Sequence, residues 1–286
     1  GGGTVSVVSD GVGSTYAFSL PDGTSVSNVE LLSLYSGSGD DRVTFANATM
    51  AWSQLWDGGT GNDTAIVDYS AFSSSVSAYK NASYNPYTVS APNSSVTLYS
   101  IENVQVSGGS GNDYLTGIDG GDNRLYGNDG SDNLVVQGGG TNLLSGGSGN
   151  DSLTGGAGDD TLIGGADDDV MDGGTGYNIA IFAGPRSNYL VTWDGVVVHV
   201  LGPEGSDTLT NIRQLNFTDS TVLVSSLPGT LSIAATSADK AEGQSGTTPF
   251  TFTVTRTGDI SVAHSAVWLV SGAAITGADF VGSALP

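Results

Sequence analysis

Two versions of one phrase stand back to back in this chain: GGSGNDSLT at Gly146–Thr154 and GGAGDDTLI at Gly155–Ile163. Each reads glycine, glycine, any residue, glycine, any residue, aspartate, any residue, apolar residue, any residue. Outward from this pair, a third clean copy lies at Gly108–Thr116, altered copies at Gly127–Val135, Gly164–Asp172 and Gly173–Ile181, and degenerate ones at Ile118–Tyr126 and Gln137–Ser145. The sixth position reads Asp113, Asn123, Asp132, Asn142, Asp151, Asp160, Asp169, Asn178, at spacings of 10, 9, 10, 9, 9, 9 and 9 residues. A solvated Gly/Asp linker has no reason to keep that register, or to place an apolar residue two positions after each Asp or Asn.

The glycine and aspartate phrase resembles the RTX (repeats-in-toxin) family. The resemblance implies a right-handed parallel β-roll with calcium in its turns. Elementary geometry agrees with it. The glycines permit positive φ and close backbone approach in a tight turn. The apolar residue (Leu115, Leu125, Leu134, Leu144, Leu153, Leu162, Met171) starts a very short strand with its side chain inward. Two phrases make one coil with a glycine turn at each edge, and coils stack about 4.8 Å apart. The sixth residue of one copy therefore lies over that of the next copy but one. One edge carries Asp113, Asp132, Asp151 and Asp169, and the other carries Asn123, Asn142, Asp160 and Asn178.

Stacked carboxylates and turn carbonyls can offer six or so oxygens per ion, the coordination that calcium takes. The candidate ligand set is Asp113, Asp132, Asp151, Asp160, Asp169, Asn142 and Asn178 with turn positions Gly108, Ser110, Gly127, Asp129, Gly146, Ser148, Gly155, Ala157, Gly164 and Ala166. Three strong sites are expected on the first edge, between successive aspartates. Weaker ones are expected on the second, near Asp160 and between Asn123 and Asn142. Asp122, Asp159 and Asp168, one residue before the key position, are expected to help through water or a side oxygen.

Composition points the same way. The 286 residues hold 29 acidic and 7 basic side chains, a formal net charge of −22. That excess opposes compaction unless a cation binds, and it disfavours nucleic acid and anionic membrane as partners. Four Trp, 11 Tyr, 8 Phe and abundant Val and Ile argue against disorder. With no Cys there is neither a disulfide framework nor a thiolate metal site, and hard oxygen ligands suit calcium better than zinc. No apolar run approaches the length of a membrane span. Gly1 and Pro286 read as cuts in a longer chain.

Two further copies stand upstream, at Ser36–Thr44 with Asp41 and at Gly58–Ile66 with Asp63. Both are expected on the calcium edge of the same solenoid. The insert at Asp68–Ser107 is expected to leave the roll as loops or hairpins and rejoin it. Its Tyr79, Tyr84, Tyr87 and Tyr99 read as packing residues, with a sugar or surface contact as the rarer option. Residues 182–226 resemble the β-rich cap of RTX rolls, whose purpose would be to cover an open sheet edge. Beyond Leu227, the segments Ala241-Glu242-Gly243, Phe250–Val254, Arg256–Asp259 and Ala278–Phe280 resemble the start of a Calx-β domain. That resemblance makes Glu242 and Asp279 possible calcium ligands in an incomplete Ig-like sandwich.

The expected architecture is all-β: residues 1–107 strand-rich with isolated turns, 108–181 the roll, 182–226 the cap and 227–286 the partial sandwich. No zinc-protease or nucleophile-elbow motif occurs in the sequence. His199 and His264 read as ordinary strand residues. The expected function is non-catalytic: a calcium-binding structural module of a large secreted or cell-surface bacterial protein, adhesin or surface-layer-like, that folds after type I-like export. Its expected partners are calcium and, beyond it, other copies of itself or a surface ligand. The rival is the accessory region of a secreted RTX enzyme, which a catalytic motif upstream of Gly1 would favour.

Overall fold

The computed structural model describes residues 4–9, 16–19, 25–29, 33–46, 52–80, 86–227, 231–235 and 252–256. They form two twelve-stranded sheets, which build a nearly all-β solenoid, and one two-stranded sheet. The described helical elements are two short 3-10 turns, Arg186–Asn188 and Val224–Ser226. In the repeat region the chain alternates between the sheets. Asn103–Ser107, Arg124–Asp129, Leu143–Ser148, Thr161–Ala166 and Ile179–Ile181 pair in parallel within the first sheet. Tyr114–Thr116, Asn133–Val135, Ser152–Thr154 and Val170–Asp172 do so in the second.

The inward residue of each short strand builds the core. In the second sheet Ala78, Leu115, Leu134, Leu153, Met171 and Leu209 stack in register. Leu125, Leu144, Leu162, Ala180 and Leu215 do the same in the first. All of these are buried. Successive coils stack so closely that neighbouring turns leave no room for side chains at several glycines. A Cβ on Gly165, whose φ is +115°, would sit 1.9 Å from the Gly147 carbonyl oxygen of the neighbouring coil.

Upstream of the repeats the solenoid continues. Arg42–Ala46 pairs with Thr64–Asp68, which pairs with Asn103–Ser107. The expectation that the insert leaves the roll is corrected. Ser77–Lys80, Tyr87–Ala91 and Ser94–Tyr99 stay in the second sheet as an antiparallel meander, bonded to Tyr114–Thr116 on one side and Trp52–Asp57 on the other. Val76, Ala78, Val89, Val96 and Leu98 bury the alternating face of that meander, so the insert spends its apolar residues on the common core. Tyr87 is buried and Tyr79 exposed; Tyr84 lies outside the described residues.

Downstream, Val197–Gly202 and Gly205–Thr210 form a hairpin whose second strand docks in parallel on Val170–Asp172. Gln214–Asn216 extends the first sheet beside Ile179–Ile181, and Thr221–Leu223 pairs antiparallel with it at the edge. Phe182, Tyr189 and Phe217 cluster beneath this end, with ring centroids 5.1–5.4 Å apart. His199 is exposed on the hairpin, opposite Thr192 and Thr208. Of the stretch with Calx-β resemblance, Leu231–Ala235 and Phe252–Arg256 form an antiparallel pair. Glu242, His264 and Asp279 lie outside the described residues.

Candidate metal centre

The turns that lead from the first sheet to the second place their aspartates in one column. Each backbone N–H in that column donates to the carboxylate of the following coil. Val76 N–H donates to Asp113 Oδ1 at 2.7 Å, Asp113 N–H to Asp132 Oδ1 at 2.7 Å, Asp132 N–H to Asp151 Oδ1 at 2.8 Å and Asp151 N–H to Asp169 Oδ1 at 2.8 Å. One oxygen of every carboxylate is thus committed to the stack. The other points into the turn. Oδ2 of Asp132, Asp151 and Asp169 is buried and has no hydrogen-bond partner, whereas that of Asp113 accepts from Gly109 N–H at 2.8 Å.

What these oxygens face is more oxygen. A Cβ built on Gly127 would lie 2.0 Å from Asp132 Oδ2 and 2.7 Å from the Gly146 carbonyl oxygen. On Gly146 it would lie 2.1 Å from Asp151 Oδ2 and 2.7 Å from the Gly164 carbonyl, and on Gly108 1.8 Å from Asp113 Oδ2 and 2.9 Å from the Gly127 carbonyl. Around Asp132 and Asp151, acceptors that converge without a donor, in a pocket only glycine leaves open, repel one another unless a cation lies among them. The donor set is all oxygen, as calcium requires. Among the described residues no three His, Cys, Asp or Glu side chains converge on one point; the carboxylates come as stacked pairs, and main-chain carbonyls supply the remainder.

Burial, and next the neighbouring carboxylates Asp113, Asp151 and Asp129, push Asp132 up to about 7. Burial, with Asp151, Asp207 and Asp167 close by, pushes Asp169 up to about 7. Asp151 rises to about 6, first through burial, and Asp113 is also raised by burial. In an unfolded chain these groups titrate near 4. The native state therefore binds more protons than the unfolded state between pH 4 and 7, and lower pH favours it there. In excess chelator, β-structure followed by circular dichroism should increase as pH falls from 7.5 towards 4.5, and vanish again on return. A signal that instead declines with acid would contradict buried, unpaired carboxylates.

The opposite edge is different. Asn123 Nδ2 donates to the carbonyls of Ile118 and Gly121 at 2.9 and 3.0 Å and to Asn142 Oδ1 at 2.8 Å. Asn142 Nδ2 donates to Asp160 Oδ1 at 2.8 Å. Asn178 Nδ2 donates to the Asn211 carbonyl at 3.0 Å. An amide N–H₂ thus supplies, from within the protein, the positive end that the first edge lacks. The expectation of a site between Asn123 and Asn142 is accordingly corrected: donors already fill that space. Asp160 alone in this row keeps a buried, unpartnered Oδ2, facing Gly155.

Asp41 and Asp63 are placed in the solenoid, but not on the edge of Asp113. Both end turns that lead from the second sheet to the first, as Asn123 does. Asp41 N–H donates to Asp63 Oδ1 at 2.8 Å, and Asp63 N–H donates to Glu102 Oε2 at 2.8 Å. Asp63 Oδ2 is buried and unpartnered, and burial raises its pKa. This short row does not run into the amide row, because Arg124 pairs with Gln105 rather than with Asn103.

Asp122, Asp159 and Asp168 point outward instead of into the turns. Their Oδ1 atoms accept the N–H groups of Thr141, Tyr177 and Ser206 at 2.7–2.8 Å on the exposed rim. The carbonyls of Ser148 and Ala166 accept Gly130 and Gly149 N–H groups at 2.9 and 3.1 Å, which leaves each one free lone pair. Ser110, Asp129 and Ala157 occupy the same third turn position.

One residue of the first edge escaped the sequence reading. Asp169 N–H donates to Asp207 Oδ1 at 3.1 Å, and Asp207 is buried. The signal was present as Gly202-Pro203-Glu204-Gly205-Ser206-Asp207-Thr208-Leu209-Thr210, a repeat phrase with Pro and Glu at its second and third positions.

Comparison with known proteins bears on residues 107–180. A family model described as RTX calcium-binding nonapeptide repeat (4 copies) matches at 107–143, 136–170 and 145–180. No curated protein matches the chain. Among solved structures, the extracellular lipase LipA from Serratia marcescens aligns at 17% identity over 63% of this chain and 36% of its own, with a TM-score of 0.20. A likeness so slight, spanning about a third of the lipase, carries no argument. The family match and the two parallel sheets agree: residues 107–180 are RTX calcium-binding nonapeptide repeats, and the chain binds several calcium ions through them.

Proposed function

We propose that the chain is a non-catalytic structural module of a secreted or cell-surface bacterial protein, adhesin or surface-layer-like, that folds when calcium reaches it outside the cell. One observation carries this reading: three successive buried carboxylates, Asp132, Asp151 and Asp169, whose inner oxygens have no partner. Two such carboxylates about 5 Å apart repel by roughly 3 kcal/mol at an effective dielectric near 20. A few pairs rival the stability of a whole domain. Calcium-poor cytoplasm would then keep the chain extended and exportable, and millimolar external calcium would close it. RTX repeats occur in proteins exported by type I secretion, and no helix among the described residues is long and apolar enough to cross a membrane.

Structural use also accounts for the acidic side chains. The column absorbs Asp113, Asp132, Asp151 and Asp169, and the rim bonds absorb Asp122, Asp159 and Asp168. The test is limited proteolysis by an enzyme that does not itself need calcium. Millimolar calcium should leave a resistant fragment that includes the 107–223 solenoid, and chelator should remove it. Equal digestion in both conditions would defeat the proposal.

A further inference from the structure

The geometry points to a calcium seat between Asp169 and Asp207 that clips the terminal hairpin, residues 197–210, onto the roll. It rests on the reading of the first edge as a row of calcium seats and extends that row beyond the repeats. Three observations carry it. Asp169 is 1% exposed and its Oδ2 has no hydrogen-bond partner. That oxygen lies against Gly164, 2.2 Å from where a Cβ would be. In the Asp113, Asp132 and Asp151 copies, the equivalent oxygen shares its pocket with a carbonyl of the following coil. For Asp169 the following coil is the hairpin, since Val170 pairs with Thr208 and Met171 with Leu209.

The hairpin also meets the roll as a repeat would. Gly205, at φ +136°, approaches so closely that a Cβ would be 2.1 Å from the Asp167 carbonyl, just as Gly149 does over Gly130. The row then stops for a visible reason. The glycine pocket of this last copy belongs to Gly202, and the Tyr189 ring fills it, 2.2 Å from a built Cβ. Tyr189 OH donates to Glu204 Oε2 at 2.8 Å, which holds both side chains in place. Asp207 is therefore the last carboxylate of the row, and the seat at Asp169 the last seat.

Counting ions tests this on the full chain. With one ion between each consecutive pair, substitution at the end of the row removes one seat and substitution inside it removes two. Asp113→Asn should lower the number of calcium ions bound at wild-type affinity by one, as measured by equilibrium dialysis. Asp169→Asn should lower it by two if Asp207 belongs to the row, and by one if Asp169 is its end. Asp207→Asn should itself remove one ion while keeping an acceptor for Asp169 N–H. At calcium ten times its dissociation constant, it should also speed hydrogen exchange at Thr208 by about tenfold.

A loss of one ion in Asp169→Asn, with the full count in Asp207→Asn, overturns the proposal and leaves the rest of the edge intact. An unchanged count in Asp113→Asn, Asp151→Asn and Asp169→Asn alike overturns the whole edge with it. Should Asp207→Asn fail to fold, the count for Asp169→Asn decides alone.

Discussion

Chelation of calcium at neutral pH should abolish most of the chain's far-ultraviolet β signal, and re-addition of millimolar calcium should restore it. The native stability of a domain is about 5–15 kcal/mol. A site filled at a hundred times its dissociation constant contributes about 2.7 kcal/mol, so three occupied seats between Asp113 and Asp169 already supply a domain's worth. Their removal also uncovers repulsion among carboxylates that the fold holds away from water, at Asp132, Asp151 and Asp169. The core offers little to offset it, because each coil contributes one inward side chain per short strand. Calcium titration followed by circular dichroism, then reversed with chelator, checks this. A β spectrum that persists in excess chelator would show that core packing alone suffices.

The second large effect is expected at Asp151. Replacement by alanine takes a carboxylate from the interior of the row and so disturbs two adjacent seats. At calcium a hundredfold above the dissociation constants, the loss is about 5 kcal/mol. Asn142→Ala removes buried amide bonds to Asn123, Asp160 and the Gly155 carbonyl, a cost of about 1–3 kcal/mol. Calcium dependence separates the two variants further. The Asp151→Ala deficit should grow with calcium concentration, while the Asn142→Ala deficit should stay constant. Urea unfolding at several calcium concentrations provides the measurement, and equal, calcium-independent deficits would erase the distinction between the edges.

Where the phrase repeats without interruption, the sequence disclosed both fold and site. The parity of the sixth positions sorted Asp113, Asp132, Asp151 and Asp169 to one edge because each nonapeptide is one strand and one turn. Parity fails across inserts. Between Asp63 and Asp113 the chain adds an antiparallel meander to the second sheet, and no count of residues reveals how many edge crossings it makes. Asp41 and Asp63 therefore lie on the edge opposite to the one the repeat phrase predicts.

The same limit hid Asp207, since the excursion of residues 182–201 breaks the period and Pro203 and Glu204 disguise the returning turn. Asn123 and Asn142 were legible as weaker ligands but not as donors. Only the bonds from Nδ2 to the turn carbonyls show that an amide already serves where an ion would sit.

The unlike edges give the stack a mechanical character. Its amide side is a bound spine, stitched by side-chain amides that need no ion between Asn123 and Asn142. Its carboxylate side is the open margin of the pages, held shut only while calcium lies between them. As calcium is withdrawn, the margin should fan before the spine parts, and the stack should curl toward its amide side.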